Sequence, residues 1–187
     1  MFPHIHIEQT PNPEAMKFSV SENLVYSGNT YFFETIESAT KSPLAVELFK
    51  LNFVNSVFLG NNFITIGKKQ NFQWDDIILI LEKIIADYLN SGKTVIEDAT
   101  VQEPENEADP LISKIKMLLN DYVRPAVERD GGAISFKTFE NGKVTLILRG
   151  ACSGCPSSIV TLKAGIEGLM TRMIPEVKEV VAENWVE

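Results

Sequence analysis

Two periodicities alternate along the chain. Short runs of strand character, Ile5–Glu8 and Met16–Val20, flank the turn-forming Thr10-Pro11-Asn12-Pro13, and a third strand is predicted around Tyr31–Glu34. Ser42-Pro43 then supplies an N-cap with proline at the first helical position, and Leu44, Leu48 and Leu51 recur at helical spacing. Val54–Leu59 and Asn62–Gly67 flank Gly60-Asn61 as a hairpin. Asp75-Asp76 open a long amphipathic helix whose apolar face is Ile77, Leu81, Ile84, Ile85 and Tyr88, ending at Ser91-Gly92.

The same devices recur later. Asp109 is placed as an N-cap before Pro110, and Ile112, Ile115, Leu118, Leu119, Tyr122 and Val123 form a helical stripe that is expected to kink or end at Pro125. Asp130-Gly131-Gly132 turns the chain into a strand over Ile134–Phe139, and Asn141-Gly142 returns it through Val144–Leu148. A helix from about Pro156 carries Ile159, Leu162, Ile166, Leu169 and Met173 on one face up to Pro175, and Val177–Ala182 is a last strand. The predicted order of this part is αββαβ. Phe18, Phe32, Phe49, Phe58 and Phe63 are expected in cores.

Between the two parts, residues 97–108 hold five carboxylates, one proline and no positive charge. Such a stretch buries too little to offset its ordering entropy and is expected to be a linker. The expected organisation is therefore α+β: two small α/β-sandwich domains, 1–96 and 109–187, joined by an acidic linker at 97–108. The net charge of −8 over 187 residues is spread accordingly. Residues 1–96 carry seven lysines against ten carboxylates, the linker five carboxylates alone, and 109–187 ten charges of each sign, including all four arginines.

That balance argues against a nucleic-acid partner, which needs a surplus of Lys and Arg. The longest uninterrupted aliphatic run, Ile77-Ile78-Leu79-Ile80-Leu81, falls far short of the roughly 18 residues of a membrane span, so no membrane association is expected. Met1-Phe2-Pro3-His4-Ile5-His6 has no basic n-region and no arginine appears before Arg124, so no signal or transit sequence is expected. With Met1 as the natural start, a cytoplasmic location is the expectation.

The only cysteines are Cys152 and Cys155. Two thiols at C-x-x-C spacing chelate a metal or form a small disulfide, and the spacing alone does not choose. Pro156 favours a helix start just after Cys155, which puts unpaired N–H groups and the positive dipole end beside the thiols. The thiolate form is therefore expected to be favoured, with Arg149 and Arg124 either assisting or engaged in surface ion pairs. Gly150 and Gly154 let backbone approach a bulky inorganic ligand. Zinc and iron–sulfur clusters usually take four protein ligands, and a two-fold dimer with Cys152 and Cys155 from each chain would supply them. His4 and His6 lie at strand spacing and are expected to be solvated, not ligating. Asp130, before Gly-Gly, is read as a turn residue.

The segment Gly150-Ala-Cys-Ser-Gly-Cys-Pro-Ser-Ser158, with Thr161-Leu162-Lys163 and Gly165-Ile166-Glu167, resembles the NifU C-terminal (Nfu-type) domain. Val123-Arg124-Pro125, Asp130-Gly131-Gly132 and Pro175-Glu176-Val177 extend the likeness over nearly all of 109–187. The first part is similar to the Nfu N-terminal domain through Pro11-Asn12-Pro13, Lys17-Phe18, Ser42-Pro43-Leu44-Ala45, Val57-Phe58 and Phe63-Ile64-Thr65. The resemblance implies a non-enzymatic iron–sulfur carrier. It would hold a [4Fe–4S] cluster, or a [2Fe–2S] one, across a homodimer through Cys152 and Cys155, receive it from an upstream scaffold and pass it to apo-[4Fe–4S] client enzymes. Where the family pattern continues Asp-Gly-Gly with another Asp, this chain has Ala133, a departure that bears on partner choice. The competing reading is a thiol redox or zinc-binding interaction module. A thioredoxin-like arrangement fits poorly, since one helix and one strand are all that is expected after Cys155.

Overall fold

The computed structural model describes residues 4–25, 29–97, 109–152 and 156–184. The chain forms two compact units, Met1–Gln102 and Glu103–Glu187. Both are α+β. The expected linker, apart from Glu97, lies outside the described residues.

The first unit is an antiparallel sheet of β1 (His6–Gln9), β2 (Ala15–Ser19), β3 (Tyr31–Phe33), β4 (Val54–Leu59) and β5 (Phe63–Lys68), in the order β1-β2-β5-β4-β3. The β1–β2 turn is held by its own side chains. Thr10 Oγ1 accepts from Asn12 N (3.2 Å) and donates to Ala15 O (2.9 Å), while Asn12 Oδ1 accepts from Glu14 N (3.0 Å). Helices α1 (Pro43–Phe49) and α2 (Trp74–Asn90) begin and end close to the expected points. Both share a core with Met16, Phe18, Val57, Leu59, Ile64 and Ile66, which alternate onto one face of the sheet.

The other face is not the polar surface usual for such a sheet. Register places Glu8, Lys17, Thr65, Phe58 and Phe32 in one row across all five strands. Phe58 is packed between Phe32 and Phe63, with ring centroids 6.5 and 5.7 Å away, and Lys17 Nζ lies 4.9 Å from the centre of the Phe63 ring. The phenylalanines expected in cores are buried or half-buried, but they are divided between the two faces.

In the second unit β6 (Gly132–Glu140) and β7 (Lys143–Gly150) form the expected antiparallel hairpin, its Asn141 and Gly142 both at positive φ (53° and 84°). The last strand, β8 (Glu179–Asn184), runs parallel to β7, giving the order β6-β7-β8. The first helical stretch is interrupted, not ended, at the proline. α3 (Pro110–Leu118) passes into a π-helical turn (Leu119–Val123) and then α4 (Arg124–Arg129). Arg124 N bonds to Leu119 O, five residues back, and this wider turn comes just before Pro125, which has no N–H to donate and whose ring a regular helix accommodates poorly. The extra residue also shifts the stripe: Val123 stays buried, whereas Tyr122, expected on the buried face, is 62% exposed. α5 (Pro156–Met173) starts at the expected proline. The core joins Ile115, Leu118, Leu119, Val123 and Val127 to Ile134, Val144, Leu146, Leu148, Ile166, Met170 and Val180.

Candidate functional site

Cys152 lies where β7 leaves the sheet. β7 ends at Gly150, whose φ of 68° turns the chain, and Ala151 N then donates to Gly131 O (3.2 Å). This bond ties the loop to the turn between α4 and β6. Asp130 closes α4, Gly131 takes a left-handed φ of 81°, and Gly132 pairs with Gly150 as the first residue of β6. The two glycine-bearing turns thus face one another with Cys152 against them.

Gly131 alone satisfies the left-handed turn; Gly132 is needed for space. A Cβ on Gly132 would lie 2.6 Å from Cys152 Sγ, 3.2 Å from Cys152 Cβ and 2.9 Å from the Arg149 carbonyl oxygen. Cys152 is only 7% exposed and belongs to the core of the second unit. Burial, with a smaller contribution from the Asp130 carboxylate, pushes its thiol up to about 11. The expectation of a favoured thiolate is therefore corrected at Cys152. Burial disfavours the charged form, and the neighbouring charge is negative.

Cys155, the other expected ligand, lies outside the described residues, as does Gly154. Arg149 is half-buried on β7, with desolvation lowering its pKa, and pairs across the ladder with buried Ala133, the position of the family's usual Asp. Arg124 begins α4. His4 and His6 are exposed at the start of the first unit, and His6 Nε2 lies 4.0 Å from Glu8 Oε1. Among the described residues no three His, Cys, Asp or Glu side chains converge to hold a metal ion. No described helix is long and apolar enough to cross a membrane.

Two site features escaped sequence reasoning. Asp130 does more than turn the chain, since its charge bears on Cys152. Gly132 receives the thiol, and the signal for it is a second glycine in a turn that needs only one.

The family described as scaffold protein Nfu/NifU N terminal matches residues 5–92, and the NifU-like domain matches residues 115–181. The protein named NFU1 iron-sulfur cluster scaffold homolog, mitochondrial, from Drosophila willistoni is 41% identical over 94% of this chain and 62% of its own length. Its namesake from Drosophila virilis is 42% identical over 94% of this chain and 60% of its own. The chain thus spans about three fifths of the curated relatives it matches. A solution structure of a NifU-like protein from Saccharomyces cerevisiae is 24% identical, with a TM-score of 0.47, covering 52% of this chain and 87% of that one.

The cytoplasmic expectation is overturned by these relatives, which are named mitochondrial. It rested on the lack of a leader-like composition near residue 1, and that composition describes these residues only. With one domain matched on each side of the acidic stretch, the chain belongs to the Nfu/NifU family, carrying the Nfu/NifU N-terminal domain followed by the NifU-like domain.

Proposed function

We propose that this chain is an iron–sulfur cluster carrier that holds a [4Fe–4S] cluster between two protomers, through Cys152 and Cys155 of each, and passes it to apo-proteins. The observation that carries the reading is the position of the C-x-x-C loop. Its described cysteine, Cys152, sits against two glycine-bearing turns, in a NifU-like domain that holds the only two cysteines of the sequence. Four cysteine ligands are usual for such clusters, and two chains supply them. The relatives' names, iron-sulfur cluster scaffold, support the cargo.

The work is ligand exchange, not turnover of a substrate. The cluster is cargo, received from an upstream scaffold and yielded when client thiolates replace Cys152 and Cys155. The first domain, the acidic linker and the cysteine domain, divided at 1–96, 97–108 and 109–187, belong to the same reading; the boundary between the compact units falls inside the acidic stretch. A thiol redox role gains no support from Cys152, whose raised pKa suppresses the nucleophilic thiolate.

Anaerobic reconstitution with iron and sulfide tests the reading. About one Cys₄ cluster per dimer is expected, with transfer restoring activity to an apo-[4Fe–4S] enzyme, and Cys152→Ser or Cys155→Ser abolishing binding. A full complement of clusters on monomers, or no gain of client activity, overturns it.

A further inference from the structure

A thiolate ligand shared between two chains has to reach a surface where they meet. The Cys152 side chain does not: it is 7% exposed, packs into the core of the second unit, and has its Sγ against the space left by Gly132. That space is built. The Ala151–Gly131 hydrogen bond fixes the loop to the turn, the Gly132–Gly150 pair brings the two backbones together, and Gly132 has an ordinary negative φ at which any residue would be tolerated but for the contact with Cys152 and the Arg149 carbonyl.

We propose that the Asp130–Gly132 turn is a socket for the Cys152 thiol, and that cluster loading and release exchange this sulfur between the socket and iron, with Gly132 as the positioning residue. The inference rests on the reading of Cys152 as a cluster ligand and deepens it. On loading, the Cys152 S–H bond breaks and a Cys152 iron–sulfur bond replaces one to a thiolate of the donor, which leaves and takes up the proton. On release, a client thiol loses its proton and takes the iron, while Cys152 sulfur takes up a proton and returns to the socket. Protons balance between the two thiols and no electrons move. The packing that holds Cys152 in the socket favours the cluster-free chain and so opposes retention of the cargo. A carrier gains from this opposition, because the departing iron–sulfur bond of Cys152 is replaced by a buried contact.

The test begins with chelator-treated Cys155→Ser chain, in which Cys152 is the single thiol. Its reaction with a maleimide is expected to be at least about tenfold slower in the folded chain than in denaturant, as for a group that reacts only after local opening. Adding Gly132→Ala should raise the folded rate several-fold while cooperative melting persists. Equal rates in folded and unfolded chains, or no change with Gly132→Ala, overturns the socket. Should the Gly132→Ala chain fail to fold, Cys152→Ala decides the matter in the chelator-treated protein. A lowered thermal midpoint is expected, and an unchanged one overturns the socket. In reconstituted full-length chain, Gly132→Ala should lose its visible cluster absorbance to a chelator several-fold more slowly than the wild type, and equal or faster loss counts against the exchange. If neither chain takes up a cluster, the carrier reading fails, while the thiol reactivity still decides whether the socket exists.

Discussion

The carboxylate of Glu167, on α5, accepts a hydrogen bond from the backbone N–H of Val180 on β8, with Oε2 3.0 Å from N. Val180 is fully buried and pairs with Val144 in the parallel ladder, so this contact fixes the last strand to the helix that follows the cysteine loop. Glu167→Ala is expected to destabilise the second unit by about 1–3 kcal/mol, the range for a half-buried bond to a charged acceptor. Glu167→Gln, which keeps an acceptor oxygen, should recover much of that. Urea unfolding of the three chains checks it, and equal midpoints would show that the bond contributes nothing.

Ser42 has a comparable place in the first unit. Its Oγ accepts from Ala45 N (3.1 Å) as the cap of α1 and donates to Val95 O (2.8 Å), and the residue is fully buried. Ser42→Ala removes the cap and leaves the Val95 carbonyl without this donor. The loss should be about 1–2 kcal/mol, read as a lower thermal midpoint. A shift within error would mean that water replaces the hydroxyl at both ends.

The Cys152 thiol titrates high for two reasons that can be separated. In the Cys155→Ser chain the thiolate absorbance of Cys152 should rise around pH 11, against 9.0 for an ordinary thiol. Asp130→Asn removes the smaller cause, so the midpoint should fall but stay above 9.0, because burial persists. The folded pKa lies above the unfolded one, so the associated stability is complete below pH 9.0 and is lost as pH rises through about 11. Identical midpoints with and without Asp130 would rule out its influence.

On the first sheet, Glu8 shows the opposite sign. The hydroxyl of Ser19 donates to its carboxylate at 2.9 Å and lowers its pKa; burial opposes the shift, and the Lys17 ammonium, 3.5 Å away, adds to it. The folded pKa lies below the ordinary 4.5, so this stability is present above that value and is lost as pH falls through the folded pKa. The midpoint advantage of wild type over Glu8→Gln should therefore shrink on acidification from about pH 6 to 3. A difference independent of pH would contradict the assignment.

Legibility in the sequence followed the range of the interactions. The strands and helices of the first unit were readable because turn chemistry at Thr10–Pro13 and Ser42-Pro43 is local and apolar spacing follows one face. Asn141-Gly142 announced its hairpin for the same reason. The parallel pairing of β7 with β8 was not readable, since its register depends on how α5 crosses over. The wider turn before Pro125 was hidden because a stripe drawn at regular helical spacing carries no sign of one extra residue, and Tyr122 was misplaced with it. The cysteines were conspicuous as chemistry, yet nothing in C-x-x-C spacing tells that Cys152 is packed against Gly132. That contact joins residues twenty positions apart through a pair of backbone turns.

The parallel strand also sets a calendar. Chains are made from the N-terminus, and domains generally fold as units in that order. The first unit, whose strands join mostly to near neighbours, can finish without anything made later. In the second, β8 comes after both the cysteine loop and α5, yet its Val180 is part of the same core as Cys152. Each newly made chain therefore passes through a stage in which Cys152 has been synthesised and the strand that completes its core has not. During that interval the Cys152 sulfur is without the finished core that raises its pKa, and burial governs its chemistry only once β8 has paired.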